Sequence, residues 1–296
     1  MRIEKYAAID IGSNAIRMLI ANAINNNGHI FFSKNALVRL PIRLGNDTFT
    51  FGYISKKNIE RLLEAMKAFK LIMKIHNVID YSAYATSAIR EAKNGIDVVE
   101  LIKNKSGIKI ELIDGKKEAK LTSSLNLYKN FRKDINFLFV DVGGGSTEFS
   151  IIQNGKRVVE KSFKIGTVRN LNKNISDLSL NNIKKWITDQ TKKFKKLSIL
   201  GTGGNINKIH RITDTEYQKS INYKTLNLLY KKMSELRYDQ RITKYQLNPD
   251  RADVILPALK IYLSAMKWSK SSEIFVPKKG LTDGMIEELY NKNLNI

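Results

Sequence analysis

The chain has 296 residues, with 51 Lys or Arg against 28 Asp or Glu, which gives a formal net charge of +23. It is 43% hydrophobic and contains 17 Gly, 4 Pro and no Cys, a composition that excludes collagen-like, disordered and disulfide-stapled chains. Thiolate zinc sites are excluded as well, and the 3 histidines are scattered along the chain, which argues against an imidazole metal cluster. The length and apolar content suit one large domain or two ordinary ones.

The strongly basic balance has two interpretations. It reflects either a general drift toward Lys or an acidic partner such as nucleic acid, phospholipid or a phosphate-rich small molecule. No RNA-binding module or helix-turn-helix pattern is found, so no sequence-specific nucleic acid is expected. No run approaches the roughly 20 apolar residues of a membrane span, and the N-terminus leads into a strand rather than a signal peptide. We therefore expect a cytoplasmic protein with no membrane partner.

The first half of the chain is predicted to mix strands and helices. The apolar run over residues 6–11 ends at Gly12, as a buried strand would. Further strands are predicted over residues 15–24, 30–40, 78–85 and 108–113, and helices over 55–76, 87–93, 96–103 and 116–131. The longest of these helices has apolar residues at helical spacing and Ser55 as its N-cap.

The second half repeats this order. A strand over residues 135–142 is closed by three glycines. It is followed by strands over 147–153 and 157–164, a helix over 180–194, a strand over 197–200, helices over 225–245 and 249–269, a strand over 273–276 and a helix over 281–293.

A short motif recurs at the start of each half. Residues 8–13 (Ala-Ile-Asp-Ile-Gly-Ser) are echoed by residues 139–144 (Phe-Val-Asp-Val-Gly-Gly). Each copy is an apolar strand with an Asp near its end and a glycine-containing hairpin after it. The repeat predicts an α/β fold of two lobes, each a duplicated βββαβα unit. We expect the lobes to cover residues 1–123 and 124–296, and the final helix, about 281–296, is a candidate to pack back on the first lobe.

The first hairpin has the features of a phosphate site. A turn with Gly12 at its tip exposes backbone N–H groups, and Ser13 and Asn14 add side-chain donors. Asp10, on the strand just before the turn, is placed to hold a hydrated Mg²⁺ or a water. The alternative is a simple hairpin whose Asp caps its own turn.

Two further glycine motifs favour phosphate binding. Residues 141–148 (Asp-Val-Gly-Gly-Gly-Ser-Thr-Glu) hold three consecutive glycines that pack nothing, which suits a backbone that a ligand must approach. Residues 201–204 (Gly-Thr-Gly-Gly) follow a strand and open a helix, where free N–H groups can meet phosphate. If the two hairpins face each other, they would grip a phosphate chain from both sides.

The order of the motifs resembles that of the Ppx/GppA phosphatase family, within the actin–sugar kinase–Hsp70 superfamily. The matching blocks are residues 8–14 with Arg17, 85–92, 117–119, 141–148, 201–204 and 251–253. The resemblance implies a two-lobed actin-like ATPase (ribonuclease H-like) fold with a cleft between the lobes. One block departs from the family, because Thr282 stands where the family usually has Arg, which puts any contact of that Arg in doubt.

The resemblance also implies roles for individual residues. Glu118 is the expected catalytic glutamate that orients or deprotonates water, although a glutamate in a first helical turn also meets the helix dipole favourably. Arg90 is the expected guanidinium clamp on phosphate, its alternative being a surface ion pair with Glu91. Asp10, Asp141 and Glu148 are the expected ligands of Mg²⁺. The expected phosphate-binding residues are Gly12, Ser13, Asn14, Arg17, Gly143, Gly144, Gly145, Ser146, Thr147, Gly203 and Gly204.

The expected function is that of an exopolyphosphatase, which releases phosphate from the end of inorganic polyphosphate. Hydrolysis of guanosine pentaphosphate (pppGpp) is the alternative within the family, and a non-catalytic polyanion-binding protein is the alternative from another class. The resemblance leaves a homodimer open. The chain looks like a short form of the family, without the extra C-terminal helical domain of longer members.

Overall fold

The computed structural model describes residues 1–124, 136–171 and 176–294. The chain divides into two compact units, one made of Met1–Leu125 with Lys279–Ile296 and the other of Asn126–Lys278. Each unit contains one mixed sheet with helices, so the predicted α/β class is confirmed. The C-terminal segment, which contains the final helix, belongs to the first unit.

The first unit begins with a three-stranded antiparallel meander. Its elements are β1 (Arg2–Ile11), β2 (Ile16–Asn26), β3 (His29–Leu40), α1 (Leu44–Phe51), α2 (Lys56–Ile75), β4 (Asp80–Ala85), α3 (Ser87–Glu91), α4 (Gly95–Ser106), β5 (Glu111–Leu112) and α5 (Gly115–Ser124). The sheet order is β3-β2-β1-β4-β5, with β4 parallel to β1 and β5 parallel to β4. As predicted, Ser55 caps α2, its side chain accepting from the Asn58 N–H.

The second unit repeats this plan. Its elements are β6 (Asn136–Val142), β7 (Thr147–Gln153), β8 (Lys156–Phe163), α6 (Asp177–Thr191), β9 (Leu197–Thr202), α7 (Gly204–Ile212), β10 (Ile221–Asn222), α8 (Tyr223–Ser234), α9 (Tyr238–Tyr245), α10 (Pro249–Ala252), α11 (Ile255–Ser269) and β11 (Glu273–Phe275). The last helix, α12 (Leu281–Leu294), follows and lies in the first unit. The order β8-β7-β6-β9-β11 reproduces β3-β2-β1-β4-β5, with the two-residue β10 added at the edge.

The two faces of the first sheet carry different cores. Ile9, Ile11 and Met18 belong to the core shared with α2 and α4, whereas Ala8 and Leu19 belong to the core shared with α12. Side chains alternate along a strand, so Asp10 lies on the same face as Ala8, toward the end of β1. The polar end of this otherwise apolar face is therefore next to the first hairpin.

The structure corrects several predicted boundaries. The single helix predicted over residues 225–245 is split into α8 and α9, and that over 249–269 into α10 and α11. Pro257 has no N–H to give to a preceding turn, which explains why a new helix begins just before it. Helix α1 and β10 were not predicted, and the strand over 108–113 shrinks to Glu111–Leu112. Part of the helix predicted over 116–131 lies outside the described residues, as does residue 135.

Across the described ranges, the helices are too short or too polar to be candidates for crossing a membrane. The cytoplasmic location stays a prediction.

Candidate active site

The first hairpin is a tight turn closed by its own backbone. The Gly12 N–H donates to the Ala15 carbonyl at 3.2 Å, and a Cβ at Gly12 would lie 3.1 Å from that same oxygen. A Cβ at position 12 would therefore crowd the turn, and the Gly12 backbone is not left-handed. The Ser13 hydroxyl lies 3.0 Å from the Ser87 hydroxyl at the start of α3, which anchors the turn to the rest of the unit.

The chain returns to this turn after β3. The Arg43 N–H donates to the Asn14 carbonyl at 3.1 Å, and the Gly45 N–H donates to the Ser13 carbonyl at 2.8 Å. A Cβ on Gly45 would lie 2.8 Å from the Ser13 Cβ, so only glycine allows this approach. Two carbonyl oxygens of the turn are thus held by the protein's own N–H groups.

The second hairpin is closed in the same way. The Gly143 N–H donates to the Ser146 carbonyl at 3.0 Å, the counterpart of the Gly12 bond, and a Cβ at Gly143 would again lie 3.1 Å from the accepting oxygen. The Thr147 hydroxyl donates to the Ile165 carbonyl at 2.6 Å, which joins this hairpin to the segment that follows β8.

That segment occupies the carbonyls of the glycine run. The Thr167 N–H donates to the Gly143 carbonyl at 3.1 Å, and the Arg169 Nε donates to the Gly145 carbonyl at 2.6 Å. The Gly144 carbonyl is so close to Gly166 that a Cβ there would lie 2.4 Å from the oxygen. Part of the reason for the glycine run is therefore this self-packing. Occupied carbonyls also remove an electrostatic obstacle to an anion at the turn.

The two hairpins differ in the pair of side chains that face each other below the turn. In the first, Asp10 is in register with Arg17, and the Arg17 Nη1 lies 3.3 Å from the Asp10 Oδ2. In the second, Asp141 is in register with Glu148. Glu148 is only 3% exposed, and its Oε1 accepts from the Ser146 hydroxyl at 2.6 Å and the Ser162 hydroxyl at 2.9 Å. The structure therefore places Asp141 and Glu148 at facing positions below the second turn. Their role as Mg²⁺ ligands stays a prediction.

Burial and the ion pair with Arg17 shift the pKa of Asp10 in opposite directions. Burial raises the pKa of the Asp10 carboxyl above its ordinary value, and the neighbouring Arg17 guanidinium opposes that increase. Asp10 is 6% exposed, so its carboxylate depends on Arg17 for compensation.

The third glycine motif lies beside the second hairpin. Gly203 has a φ of 112°, and a Cβ there would lie 3.1 Å from the Asp141 Oδ1 and 3.0 Å from the Val142 carbonyl. The buried Tyr262 hydroxyl donates to the Thr202 carbonyl just before it. Burial raises the pKa of Tyr262 well above its ordinary value, and the Asp141 carboxylate adds to the increase. Tyr262 therefore stays a protonated donor that fixes the end of β9 next to Asp141.

Arg90 links α3 to the segment in front of α5. Its guanidinium donates to the Ile113 carbonyl and lies 4.0 Å from the Glu91 carboxylate. These contacts hold the side chain in place, and the Glu91 contact is the ion pair weighed as the alternative. The phosphate clamp stays a prediction.

Glu118 lies in the first turn of α5. Its N–H donates to the Asp114 carbonyl at 3.0 Å, and the Asp114 side chain accepts from the Lys117 N–H at 2.7 Å. The Lys117 ammonium lies 4.4 Å from the centroid of the Tyr84 ring, and Tyr84 is in register with Asp10 across β4 and β1. The beginning of α5 is therefore on the sheet face that carries Asp10.

Sequence reasoning missed the residues that support the hairpins. Gly45 and Gly166 both follow the third strand of their unit, and each comes directly after a branched apolar residue, Leu44 and Ile165. That recurrence was available in the sequence, but only the fold shows that both glycines contact a hairpin turn.

The family relationship rests on both sequence and fold. Residues 24–293 match the model of the Ppx/GppA phosphatase family. The chain belongs to this family. A crystal structure of an Aquifex aeolicus member of the Ppx/GppA family aligns with a TM-score of 0.77 and 25% identity, over 99% of this chain and 99% of that one. The resemblance inferred from the motifs is therefore confirmed.

Two relatives of this chain are longer proteins. The bifunctional 3-dehydroquinate synthase/phosphatase of Fusobacterium nucleatum is 29% identical over 98% of this chain and 48% of its own length. Exopolyphosphatase 1 of Mycobacterium tuberculosis is 27% identical over 49% of this chain and 42% of its own length. The chain thus spans about half the length, or less, of these relatives.

Proposed function

We propose that this Ppx/GppA family member is an exopolyphosphatase that hydrolyses the terminal phosphoanhydride bond of inorganic polyphosphate. The observation that carries the proposal is the pair of equivalent hairpins, at Gly12 and Gly143, each with an Asp below its turn and its carbonyls occupied by a returning segment. Family membership and similarity to an exopolyphosphatase across 49% of the chain support it.

In this proposal the first hairpin and the arginines of the same unit hold the phosphate chain. Arg17 and Arg90 supply planar guanidinium groups that bind two phosphate oxygens at once. The Glu118 carboxylate orients the attacking water, and it can do so without fully removing the proton. Positioning and neutralisation of charge account for most of the catalysis in phosphoryl transfer, so these residues have sufficient chemistry for the reaction.

The second hairpin suits Mg²⁺. Asp141 and Glu148 are in register, and Thr202 lies beside Asp141 on the parallel neighbour β9. Thr202 is 1% exposed, and its hydroxyl has no hydrogen-bond partner within the described part of the chain, so a water or a cation would satisfy it. The described residues contain no cluster of three or more acids, His or Cys, but Mg²⁺ usually keeps several waters and needs only one or two carboxylates. When bound, it would offset charge on the phosphate oxygens.

The net charge of +23 favours a polyanionic substrate. A basic surface attracts a linear phosphate chain, and salt weakens that attraction by screening. We expect the KM for long polyphosphate to rise with ionic strength.

The first test replaces the proposed water-orienting residue. Glu118→Gln is expected to lower kcat for phosphate release from long polyphosphate about 100-fold or more, while binding of polyphosphate is retained. The matched control is Glu100→Gln, which removes the same charge from an exposed position on α4 in the same unit. Full phosphate release by Glu118→Gln would refute the assignment of this residue.

Assays of both compounds on the same protein preparation distinguish the exopolyphosphatase from the two alternative functions. Faster turnover of guanosine pentaphosphate than of polyphosphate would assign the pppGpp hydrolase activity instead. If neither compound is hydrolysed but polyphosphate binds and lysine substitutions abolish the binding, the chain is a polyanion-binding protein.

A further inference from the structure

A pocket of about 560 Å³ in the second unit is lined by residues of β8, which is at the edge of the described sheet, and of α6. Phe163 and Trp186, one from each element, are among the lining residues. The volume is within the roughly 300–1,000 Å³ of small-molecule sites, which are lined mainly by apolar and aromatic side chains. The proposed hydrolysis does not use this pocket.

The pocket is on the face of the second sheet opposite the acidic pair. Glu148 is in register with Asp141 on β6 and with Ser162 on β8. Phe163 comes directly after Ser162, and side chains alternate along a strand, so Phe163 is on the other face. Helix α6 packs on this other face, where the Trp186 ring contacts that of Phe163. The pocket is therefore separate from the Asp141 and Glu148 pair.

The aromatic part of the lining is supported by a third ring. The centroid of the Trp186 ring lies 6.1 Å from that of Phe163 and 6.2 Å from that of Phe149. Phe149 is 2% exposed, whereas Phe163 and Trp186 are only partly buried. A buried ring thus holds in place two rings that line the pocket. Such a surface favours a ligand with a planar ring, because stacking removes apolar area from water on both sides.

The charged part of the lining is basic. It consists of three lysines and one acid, which are Lys161, Lys164, Lys185 and Asp189. The Asp189 carboxylate is paired with Lys192 at 3.4 Å. Lys161 and Lys185 are exposed, and the Lys161 ammonium lies 5.1 Å from the centroid of the Phe163 ring. The lining therefore combines ammonium groups with an aromatic surface, and its excess of positive charge favours an anion.

We propose that this pocket binds a nucleoside phosphate, with the base against Phe163 and Trp186 and the phosphate groups beside Lys161 and Lys185. A phosphate chain has no ring for the aromatic surface, and an uncharged nucleoside has no charge for the lysines. Only a planar ring that carries phosphate matches both parts of the lining. The site does not depend on the proposed function, because it uses none of the residues assigned to hydrolysis.

The test uses Trp186 as the reporter, in a chain where Trp268→Phe leaves it as the only tryptophan. ADP, pyrophosphate and adenosine are titrated by fluorescence. Calorimetry of the chain that keeps Trp268 provides the affinities if Trp268→Phe does not fold. We expect ADP to change the Trp186 emission, and pyrophosphate and adenosine to bind about 10-fold or more weakly, because each lacks one of the two kinds of contact.

The variant Lys185→Gln removes one ammonium from the pocket. Its matched control is Lys184→Gln, which removes the same charge from the neighbouring exposed position on α6, outside the lining. ADP affinity is expected to fall about 10-fold in Lys185→Gln and to stay unchanged in Lys184→Gln.

Three results would overturn the site. The first is equal ADP affinity in Lys185→Gln and Lys184→Gln. The second is pyrophosphate binding as tight as that of ADP, because phosphate alone would then explain the binding. The third is ADP binding that leaves the Trp186 emission unchanged, which would place the nucleotide elsewhere. Failure of the chain to hydrolyse any phosphoanhydride would overturn the proposed function and leave a weakened Lys185→Gln standing as evidence for this pocket.

Discussion

The two hairpins have the same backbone hydrogen bonding but differ in the charges of their side chains. Each is closed by one N–H to carbonyl bond, at Gly12 and at Gly143, and each is supported by a glycine that follows the third strand of its unit. Below the turn, however, Asp10 faces an arginine, whereas Asp141 faces Glu148. The duplicated unit therefore kept its geometry while the chemistry of one cross-strand position diverged.

The residue opposite the aspartate, Arg17 or Glu148, gives the two hairpins different electrostatic environments. The first has an acid that its own arginine compensates, with a further arginine beyond it. In the second, two carboxylates are in register on neighbouring strands, and the hydroxyls of Ser146 and Ser162 donate to Glu148. We expect the first hairpin to bind anions without a metal and the second to need a cation. On this comparison Asp10 is less suited to Mg²⁺ than the Asp141 and Glu148 pair.

The largest expected effect is that of removing charge from the second hairpin. Glu148→Gln should lower the rate of phosphate release about 100-fold and raise the Mg²⁺ concentration needed for half-maximal rate, because one of two adjacent carboxylates is neutralised. The measurement is the rate of phosphate release as a function of Mg²⁺ concentration.

The control for that variant is Glu160→Gln on β8, where the carboxylate is paired with Arg157. If Glu148→Gln and Glu160→Gln show the same Mg²⁺ dependence, the cation does not depend on the second hairpin. Glu148 would then serve only to hold the structure of the second hairpin and would not bind the cation.

A smaller effect is expected when Gly45 and Gly166, the glycines that contact the two hairpins, are replaced by alanine. A Cβ at Gly166 would meet backbone atoms of Gly144 at 2.4 Å, whereas one at Gly45 would first meet the Ser13 Cβ at 2.8 Å. Gly166→Ala should lower the free energy of unfolding by about 1–3 kcal/mol, and Gly45→Ala should lower it by less. Urea unfolding measures both.

Gly280 provides the matched control, because a Cβ there would have nothing within 4 Å. Gly280→Ala should leave stability nearly unchanged. A Gly166→Ala chain as stable as Gly280→Ala would show that the segment after β8 moves easily and does not hold the second hairpin in place.

The features that were predictable from sequence are those that depend on near neighbours. The run over residues 6–11, the repeated Asp and Gly pattern and the Ser55 cap are all local, and all three are present in the structure. The contact of Gly166 with Gly144 joins positions far apart in sequence, and nothing in local propensity indicates it. The in-register pairing of Arg17 with Arg39 also depends on how β2 and β3 align, with a register shift between Ile20 and Ala21 that no local pattern reveals.

The smallest expected effect is on the pH dependence of stability, and it shows how far Arg17 compensates the buried Asp10 carboxylate. Burial raises the pKa of the Asp10 carboxyl above its ordinary 3.8, and Arg17 opposes burial. A raised folded-state pKa means that the folded chain holds this proton when the unfolded chain has lost it. The contribution of Asp10 to stability therefore decreases as pH rises from 3.8 through the folded-state pKa. Asp10→Asn lacks this titration, so the stability of the wild-type chain relative to Asp10→Asn should fall with rising pH in urea unfolding at several pH values. Parallel curves for the two chains would mean that Arg17 compensates the buried carboxylate fully, which would make the first hairpin an even more complete contrast to the second.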